Sequence, residues 1–287
     1  MSNLIKIAVV GCGGIAQVHS NVLNELKEIN IVAFCDIKPE RAELLSQKYG
    51  GNVYDDFETM LESEEIDVVH ICTPHYLHTP MAKKCSEKKI KVFSEKPPAI
   101  TSEQWEEFKS IDTKIGVCFQ NRYNGNVLKI KDLINSKKAG KILGARAFVT
   151  WTRDADYYTK SGWRGSLETE GGGALINQSI HTLDLLVYLI GTPVDCSSSI
   201  HNRHLKSVIE VEDTVEAYVK FKGENVADNM SALFYATTAY STDSPVFIEI
   251  HCENMTLQAN GAELVIIHKD GTKELVEIEE TTTTLGK

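Results

Sequence analysis

Residues 5–16 read IKIAVVGCGGIA, and this stretch decides the fold of the first part of the chain. A short apolar run passes directly into the pattern Gly11-x-Gly13-x-x-Ala16. In that context Gly11 permits a tight turn, Gly13 lets the backbone approach a pyrophosphate, and Ala16 lets a helix pack close to the strand. The helix N-terminus offers N–H groups and partial positive charge to an anion. The pattern favours a dinucleotide site over a turn without a ligand, with contacts from Gly11, Gly13, Gly14, Ile15 and Ala16.

Apolar runs and amphipathic segments alternate from this stretch up to about residue 120. Val- and Ile-rich runs, typical of strands covered on both faces of a parallel sheet, occur at 5–10, 31–35, 67–72, 90–93 and 115–119. Amphipathic helices are predicted between them at 15–27, 39–49, 57–62, 79–87 and 102–109. This order predicts an α/β fold in which residues 1–120 form a Rossmann domain with a doubly wound parallel sheet.

The pattern beyond residue 120 predicts a second domain, of α+β class, over residues 121–287. Helix, strand and helix are predicted in turn at 125–137, 142–151 and 174–190. Apolar and polar residues then alternate over 211–221, which indicates an open, mostly antiparallel sheet with one wet face. Later signals are two hairpin turns, at 260–261 and 270–271, and a threonine run at 281–284 that is predicted to be an exposed tail.

Composition bounds the class of protein. The 287 residues, of which 42% are hydrophobic, suffice for two cores, and the net charge of −10 argues against nucleic acid or an anionic membrane surface as main partner. No unbroken apolar stretch reaches the roughly 18 residues that a membrane span needs, and no signal peptide precedes the first strand. Seven scattered cysteines without CxxC spacing predict a reduced, cytoplasmic protein.

Asp36 ends the second apolar run, where an acid accepts hydrogen bonds from an adenosine ribose. A carboxylate at that position would repel a 2′-phosphate, so NAD is favoured over NADP as the cofactor. Lys38 would partly offset this repulsion, which keeps NADP as the less favoured alternative. The other interpretation of Asp36 is a cap for the helix that begins at Pro39.

Two segments follow predicted strands at the carboxyl edge of the sheet, where open α/β sheets bind ligands. Thr73, Pro74 and His78 follow the fourth strand and are predicted to contact the cofactor. Glu95 and Lys96 follow the fifth strand, are held by two prolines and are also predicted to contact the cofactor. The Lys96 ammonium could bond the nicotinamide ribose and a substrate hydroxyl, stabilising the alkoxide that develops as hydride leaves. A structural ion pair is the alternative for Lys96.

A glycine triplet at 171–173 introduces the helix predicted at 174–190. Asn177, His181 and Asp184 are spaced i, i+4 and i+7, which predicts one polar stripe on that helix. A neutral imidazole is well matched to accept a hydroxyl proton near pH 7, and the glycines are expected to let a ligand come close. The alternative is a histidine that only packs or caps.

Tyr157, Tyr158, Trp163 and Arg164 precede the glycine triplet in a loop that is too long for a simple connection. Aromatic rings beside an arginine suit sugar stacking and anion recognition, so Tyr158, Trp163 and Arg164 are predicted to bind substrate. A dimer contact or a plug in the core is the alternative for this loop.

Two histidine pairs invite a metal-site interpretation. His75 and His78 are three residues apart, as are His201 and His204. Zinc needs three or four placed ligands, and no further ligand is evident near either pair. No metal site is predicted.

Together these motifs resemble the glucose–fructose oxidoreductase, inositol dehydrogenase and MocA (Gfo/Idh/MocA) family. The resemblance covers nearly the whole chain, with motifs in the order GCGGIAQVH (11–19), Asp36, TPHYLH (73–78), SEKPP (94–98) and GGGALINQSIHTLDLL (171–186). The glycine motif alone is unspecific. The combination of EKP with the later GGG…H helix is highly specific.

The resemblance implies a Rossmann domain and a C-terminal domain whose open sheet forms a subunit interface, hence a homodimer or homotetramer. It implies oxidation or reduction, with NAD(P), of a ring hydroxyl in a sugar, cyclitol or nucleotide sugar. Lys96 would be the catalytic lysine and His181 the acid–base residue, and Pro97 would follow a cis peptide bond.

The chain departs from the family pattern in two places. Many members have Asp four residues before the catalytic His, where this chain has Asn177. Because Asn cannot take a proton, Asn177 is expected to hydrogen-bond substrate rather than to relay a proton. The Asn-Gln-Ser-Ile-His form is similar to a branch with nucleotide-sugar 3-dehydrogenases. Members usually also run further, to a helix that packs back on the first domain, and this helix is expected to be missing.

These observations predict an NAD-dependent oxidoreductase acting on a small sugar-like alcohol. Two alternatives stay open. One is a glycoside hydrolase that works through transient oxidation at C3 with tightly held NAD. The other is a non-catalytic NAD-responsive binding protein.

Overall fold

A computed structural model describes residues 4–278 and shows two compact units. The first unit contains the described residues up to Cys118 together with Glu168–Gly171. The second contains Phe119–Leu167 and the described residues from Gly172 onward. The threonine run predicted as a tail, 281–284, lies outside the described residues.

The first unit is built on a six-stranded parallel sheet. Its strands are β1 (Ile5–Val10), β2 (Ile29–Cys35), β3 (Asn52–Tyr54), β4 (Val68–Ile71), β5 (Lys91–Ser94) and β6 (Ile115–Val117). They are ordered β3-β2-β1-β4-β5-β6, and every pair is parallel. The predicted doubly wound sheet is therefore confirmed. The strand order reverses at β1 and β4, the point where such sheets bind ligands beyond their carboxyl ends.

Five helices connect these strands: α1 (Gly14–Glu25), α2 (Pro39–Tyr49), α3 (Phe57–Ser63), α4 (His78–Glu87) and α5 (Ser102–Lys109). A 3₁₀ turn, His75–Leu77, leads into α4. The sequence marks several helix starts. Asp56 caps α3 by accepting the N–H of Thr59 at 2.8 Å, and Pro39 occupies the first turn of α2.

Apolar cores cover both faces of this sheet because side chains alternate along each strand. In β1, Ala8 and Val10 join one buried cluster, which also contains Met60. Ile7 and Val9 join the other. The near-continuous apolar runs of the sequence are explained by this burial on both sides.

The second unit is built on an eight-stranded sheet. Its strands are β7 (Ile142–Thr150), β8 (Thr192–His201), β9 (Thr214–Lys222), β10 (Ser231–Thr237), β11 (Phe247–Cys252), β12 (Met255–Asn260), β13 (Glu263–His268) and β14 (Lys273–Leu275). The order is β14-β13-β12-β11-β7-β10-β9-β8, and only β7 and β10 pair in parallel. The predicted mostly antiparallel sheet is confirmed, with tight turns at 260–261 and 270–271.

Helices pack on one face of the second sheet. They include α6 (Gly125–Asn135) and α8 (Ile180–Ile190), and a short helix α7 (Ala155–Thr159) lies in the loop after β7. Ile130 of α6 and Leu186 of α8 are buried in one cluster with Ala147 and Ile250 of the sheet. The opposite face carries the exposed side chain of Leu233, so this sheet is covered on one side within its unit.

Three details differ from the predicted elements. Strand β3 was not predicted, because its three residues show no buried pattern. The helix predicted at 174–190 is broken into a π-helical turn, Ala174–Gln178, and α8. The chain after β6 forms a 3₁₀ turn, Gln120–Tyr123, instead of continuing as a strand to 119.

Among residues 4–278, no helix combines the length and the hydropathy that crossing a membrane would require. Within the same residues the seven cysteines form no disulfide. Five of them are buried, as expected for cysteines inside apolar runs: Cys12, Cys35, Cys72, Cys85 and Cys252.

Candidate active site

The glycine loop after β1 presents unobstructed backbone at the start of α1. Gly11 has φ +83°, and a Cβ there would lie 2.7 Å from the backbone that follows β4. A Cβ on Gly13 or Gly14 would meet no atom within 4 Å. Ile15 is exposed and Ala16 is fully buried against the sheet. Open space beside two loop residues at a helix N-terminus fits a pyrophosphate group of a dinucleotide.

Asp36 follows β2 and connects it to the glycine loop. Its Oδ2 accepts the N–H of Cys12 at 2.7 Å, and its Oδ1 accepts the N–H of Lys38 at 2.9 Å. No side chain caps α2, so the alternative interpretation of Asp36 as a helix cap does not apply. Each carboxylate oxygen has a second lone pair that a ribose hydroxyl could use.

His78 connects the loop after β4 to the loop after β5. Its Nδ1 lies 2.7 Å from the carbonyl oxygen of Pro97, and its Nε2 lies 2.8 Å from that of Thr73, which Pro74 follows. Burial lowers the pKa of His78 and outweighs the opposing effect of the two carbonyl oxygens. The side chain is 1% exposed. The prediction that His78 contacts cofactor is therefore corrected, because this ring positions two loops.

Glu95 is buried beside Lys96. Its Oε1 lies 3.0 Å from His19 Nε2, and its Oε2 accepts the Lys96 backbone N–H at 3.3 Å. Burial raises the pKa of Glu95, but the hydrogen bond and charge of His19 and the charge of Lys96 outweigh it, so the pKa falls below its ordinary value. An ionised carboxylate thus adjoins Lys96, whose bond to Pro97 is cis, as the family resemblance implied. His19 was not predicted from the sequence.

The glycine triplet is required by the packing of the chain itself. The carboxylate of Glu212 accepts the N–H groups of Gly173 at 2.9 Å and Leu175 at 2.8 Å. Its carbonyl oxygen accepts the N–H of Ala174 at 2.9 Å. A Cβ on Gly173 would overlap that carbonyl oxygen. The expectation that Gly173 lets a ligand come close is therefore corrected, because the neighbouring backbone fills the space.

A π-helical turn separates Asn177 from His181. The Ser179 N–H bonds to the Ala174 carbonyl oxygen at 2.9 Å, which is the i to i+5 pattern of such a turn. Asn177 is buried in this turn, and His181 lies in the first turn of α8. The predicted polar stripe assumed one continuous α-helix and is wrong between these two residues. Turns of this kind are frequent at functional sites.

His181 is linked through Phe119 to an ion pair that was not predicted from the sequence. Its ring meets that of Phe119 edge to face at 5.9 Å between centroids. The guanidinium of Arg122 lies 5.5 Å from the centroid of the same Phe119 ring. It also forms a bidentate salt bridge with the carboxylate of Asp184. The hydrogen bond to Asp184 raises the pKa of Arg122. Asp184, which was predicted to lie on one stripe with His181, is thus paired with Arg122. The position of Arg122 just after β6 was the only feature of the sequence that could have indicated this pair.

In the loop that contains Tyr157, Trp163 and Arg164, the arginine side chain lies against two aromatic rings. The guanidinium of Arg164 lies 4.4 Å from the ring centroid of Tyr157 and 4.9 Å from that of Trp163. The Nε2 group of Gln178 donates to the Tyr157 hydroxyl at 2.6 Å, which joins this loop to the π-helical turn. An arginine stacked in this way keeps N–H groups in its plane for an anion or a hydroxyl.

Tyr158 is a core residue. Its side chain is 2% exposed and packs with Ile209 and Val211 in a small cluster. Its hydroxyl lies 3.4 Å from the hydroxyl of Thr238. The prediction that Tyr158 binds substrate is corrected, because its ring is used to fill the core beneath the loop.

Two family models match the chain. The first, described as "Oxidoreductase family, NAD-binding Rossmann fold", matches residues 5–123. The second, described as "GFO/IDH/MocA C-terminal domain", matches residues 127–258. The glycine loop, Asp36 and Lys96 lie in the first match, and His181 lies in the second.

Several curated proteins are similar over part of their length. D-glucoside 3-dehydrogenase of Escherichia coli (strain K12) is 32% identical over 212 residues, which cover 70% of this chain and 58% of that protein. Glucose-6-phosphate 3-dehydrogenase of Bacillus subtilis (strain 168) is 26% identical over 231 residues, 76% of this chain and 65% of that protein. The chain therefore spans about three fifths of the length of the curated relatives it matches.

A solved structure shares the fold over most of this chain. The WlbA dehydrogenase from Bordetella pertussis, in complex with NADH and UDP-GlcNAcA, is similar with a TM-score of 0.84 at 27% identity. The similarity covers 91% of this chain and 79% of that one.

Proposed function

Since the chain belongs to the Gfo/Idh/MocA family of oxidoreductases, we propose that it transfers a hydride between NAD and a ring hydroxyl of a sugar or nucleotide sugar. Two similar curated proteins are named as 3-dehydrogenases of a glucoside and of glucose 6-phosphate, and the similar solved structure holds NADH with UDP-GlcNAcA. The proposed reacting group is therefore the C3 hydroxyl of a hexopyranoside.

The cofactor is proposed to lie at the glycine loop and Asp36. The observation that carries the proposal is the open space beside Gly13 and Gly14 at the N-terminus of α1, with the Asp36 carboxylate bonded to the same loop. Backbone N–H groups there would hold the pyrophosphate, and Asp36 would accept ribose hydroxyls in preference to a 2′-phosphate. NAD, when bound, supplies the acceptor for the hydride.

Lys96 is proposed to stabilise the developing alkoxide. The hydrogen bond and charge of His19 and the charge of Lys96 outweigh burial and lower the pKa of Glu95, so the residue that precedes the lysine is a carboxylate anion. An ammonium held beside a buried carboxylate would need little reorganisation when charge develops on the substrate oxygen.

His181 is proposed to accept the proton of the reacting hydroxyl. A neutral imidazole has an acceptor nitrogen and an ordinary pKa of about 6.5, which suits this task near neutral pH. Asn177 would orient a neighbouring hydroxyl through its amide, and Trp163 and Arg164 would bind the rest of the sugar. Because Asn177 cannot take a proton, the proton on His181 would leave to water instead of to this side chain.

The uncovered face of the second unit's sheet is proposed to bind a second copy of the chain. The side chain of Leu233 and the aromatic ring of Tyr218 are exposed there, so this face presents apolar surface to its surroundings. Burying such a face on a copy of itself gives a closed, symmetric dimer.

The reaction can be tested by following NADH formation from NAD with methyl glucosides, glucose 6-phosphate and UDP-sugars, and by identifying the 3-ketone product. We expect His181→Ala to lower kcat about 10²–10⁴-fold, the usual contribution of general acid–base catalysis, with the Kd for NAD unchanged. His268→Ala, at a histidine in β13, is the matched control and should keep wild-type turnover.

Three outcomes would count against the proposal in different ways. Near wild-type turnover of His181→Ala would remove His181 from the role of base. Cleavage of the glycoside without net NADH would indicate hydrolysis through transient oxidation. Binding of NAD without turnover of any sugar would indicate a non-catalytic binding protein.

A further inference from the structure

Three metal-ligating side chains converge in the first unit. His19 lies on α1, Glu95 follows β5, and Cys118 follows β6. One nitrogen, one oxygen and one sulfur atom of these residues all lie within 4.8 Å of one another. They come from three separate elements, so only the fold brings them together. We propose that His19, Glu95 and Cys118 form a binding site for a thiophilic divalent cation of the Zn²⁺ type.

The distances suit a tetrahedral ion. Bonds of about 2.05 Å to nitrogen and oxygen place two such ligands about 3.3 Å apart, and a sulfur at about 2.3 Å lies about 3.6 Å from either. His19 Nε2 and Glu95 Oε1 are already 3.0 Å apart. The Cys118 sulfur lies within 4.8 Å of a ring nitrogen of His19 and of a carboxylate oxygen of Glu95, so closure to about 3.6 Å needs a movement of roughly 1 Å. A change of that size is within the reach of side-chain torsions.

The charges also suit a cation. Glu95 is only 7% exposed, and its Oε2 accepts the Lys96 backbone N–H at 3.3 Å while its Oε1 faces His19. The cation would lie between His19 Nε2 and Glu95 Oε1, and the Cys118 thiol would release its proton on binding it. A buried carboxylate and a thiolate together offer two negative charges to a divalent ion.

His70 supplies the outer support that a histidine ligand requires. Its Nδ1 lies 3.1 Å from His19 Nδ1. The His70 ring is buried at 9% exposure, so this contact lies inside the core of the first unit. A neutral His70 can accept the Nδ1–H of His19 and leave Nε2 for the ion. Ligand histidines almost always donate their second N–H in this way, which sets the tautomer and ring orientation.

The donor set selects the class of ion. Thiolate and imidazole favour Zn²⁺, Co²⁺ and similar ions, whereas Mg²⁺ and Ca²⁺ prefer six or more oxygen ligands. Three protein ligands leave the fourth tetrahedral position to water. Among the other cysteines of the described chain, burial raises the pKa of Cys12, Cys35 and Cys85 to about 12, which opposes the loss of a proton on metal binding.

Cobalt absorption provides a test that does not depend on turnover. Co²⁺ is added to the full chain, and the thiolate-to-cobalt charge-transfer band is recorded together with the visible bands of tetrahedral cobalt. We expect saturation at one Co²⁺ per chain and loss of the bands when Zn²⁺ is added. Cys118→Ala should abolish the charge-transfer band. His19→Gln should weaken binding at least tenfold, since even loss of an outer-shell partner costs about 10–100-fold.

Cys196→Ala is the matched control, because Cys196 is an exposed cysteine of β8 in the second unit. It should leave the cobalt spectrum unchanged. The proposal is overturned if wild type gives no charge-transfer band, if the band survives in Cys118→Ala, or if it is lost in Cys196→Ala. The thermal shift of each variant with NAD shows that it remains folded, and it reports separately on the cofactor site.

Discussion

The carboxylate of Asp36 accepts two backbone N–H groups, from Cys12 and Lys38, while being only 7% exposed. Hydrogen bonds to a charged group contribute about 1.5–3 kcal/mol each, so this side chain holds the glycine loop against the end of β2. The same negative charge would oppose a 2′-phosphate brought to that edge of the sheet. Loop geometry and cofactor preference therefore depend on one residue.

We expect Asp36→Asn to reduce the preference for NAD over NADP by at least about tenfold, equivalent to about 1.4 kcal/mol, because the charge is removed while an acceptor oxygen stays. Isothermal titration with both cofactors measures the two Kd values. Asp55→Asn, at an exposed carboxylate after β3, is the control and should leave their ratio unchanged. An unchanged ratio in Asp36→Asn would remove this residue from cofactor selection.

Residue roles could be predicted where the neighbours are close in sequence or belong to a strand end. Asp36 was identified for that reason. His19 was missed because its partner Glu95 lies 76 positions away. Glu212 was missed because the N–H groups it accepts lie 37 and 39 positions earlier. Tyr158 was misassigned because composition shows that a loop is aromatic but not which ring faces the core.

At the scale of elements, the glycines of the chain serve two different physical purposes. Gly13 stands beside open space, where a Cβ would meet nothing within 4 Å. Gly173 stands against the backbone of Glu212, whose carboxylate and carbonyl oxygen together accept the three successive N–H groups of Gly173, Ala174 and Leu175 at the start of the π-helical turn. A methyl group at Gly13 would therefore affect only the binding of a ligand. A methyl group at Gly173 would displace the Glu212 backbone and so affect the stability of the fold.

We expect Gly173→Ala to destabilise the protein by about 1–3 kcal/mol, the usual cost of overpacking, because Glu212 must move away from the π-helical turn. Gly13→Ala should keep the melting temperature of the apoprotein but weaken NAD binding. Gly144→Ala is the control for added volume, since its Cβ would make an ordinary contact at 3.8 Å. Thermal unfolding with and without NAD measures all three. Unaltered stability of Gly173→Ala would show that this glycine instead serves ligand approach.

Most elements could be predicted because their periodicity is local. Strand β1 and helices α2 and α5 have the predicted bounds, since both faces of the strand and the helix starts are marked in the sequence. The helix predicted at 174–190 is broken because Ser179 bonds to the Ala174 carbonyl oxygen through its N–H at 2.9 Å and through its hydroxyl at 2.7 Å, which inserts a π-helical turn. One extra residue in the hydrogen-bond ladder changes the apolar spacing too little to be read from the sequence.

At the scale of the whole molecule, the two units differ in how many faces of the sheet are covered by apolar side chains. The six-stranded sheet has apolar clusters on both faces. The eight-stranded sheet has one large cluster on the helix side. On the other side, two shallow depressions meet at Phe148 and Tyr235. The alternation over residues 211–221 correctly predicted a face that the unit's own helices leave uncovered. A period of two residues does not show whether water or another chain contacts that face.

Association through this face can be tested at Leu233, which is 56% exposed in β10. If a second copy covers it, Leu233→Glu would bury a carboxylate without a partner, and we expect the dimer dissociation constant to rise about 100-fold, or about 2.7 kcal/mol. Folding of the single chain should be unaffected, because the side chain lies outside the core. Leu44→Glu, on α2 at 66% exposure, is the matched control and should leave association unchanged. Analytical ultracentrifugation across a concentration series measures the dimer dissociation constant of the wild type and of both variants. If the wild-type chain stays monomeric throughout, or if the two variants weaken association equally, this face binds no second copy.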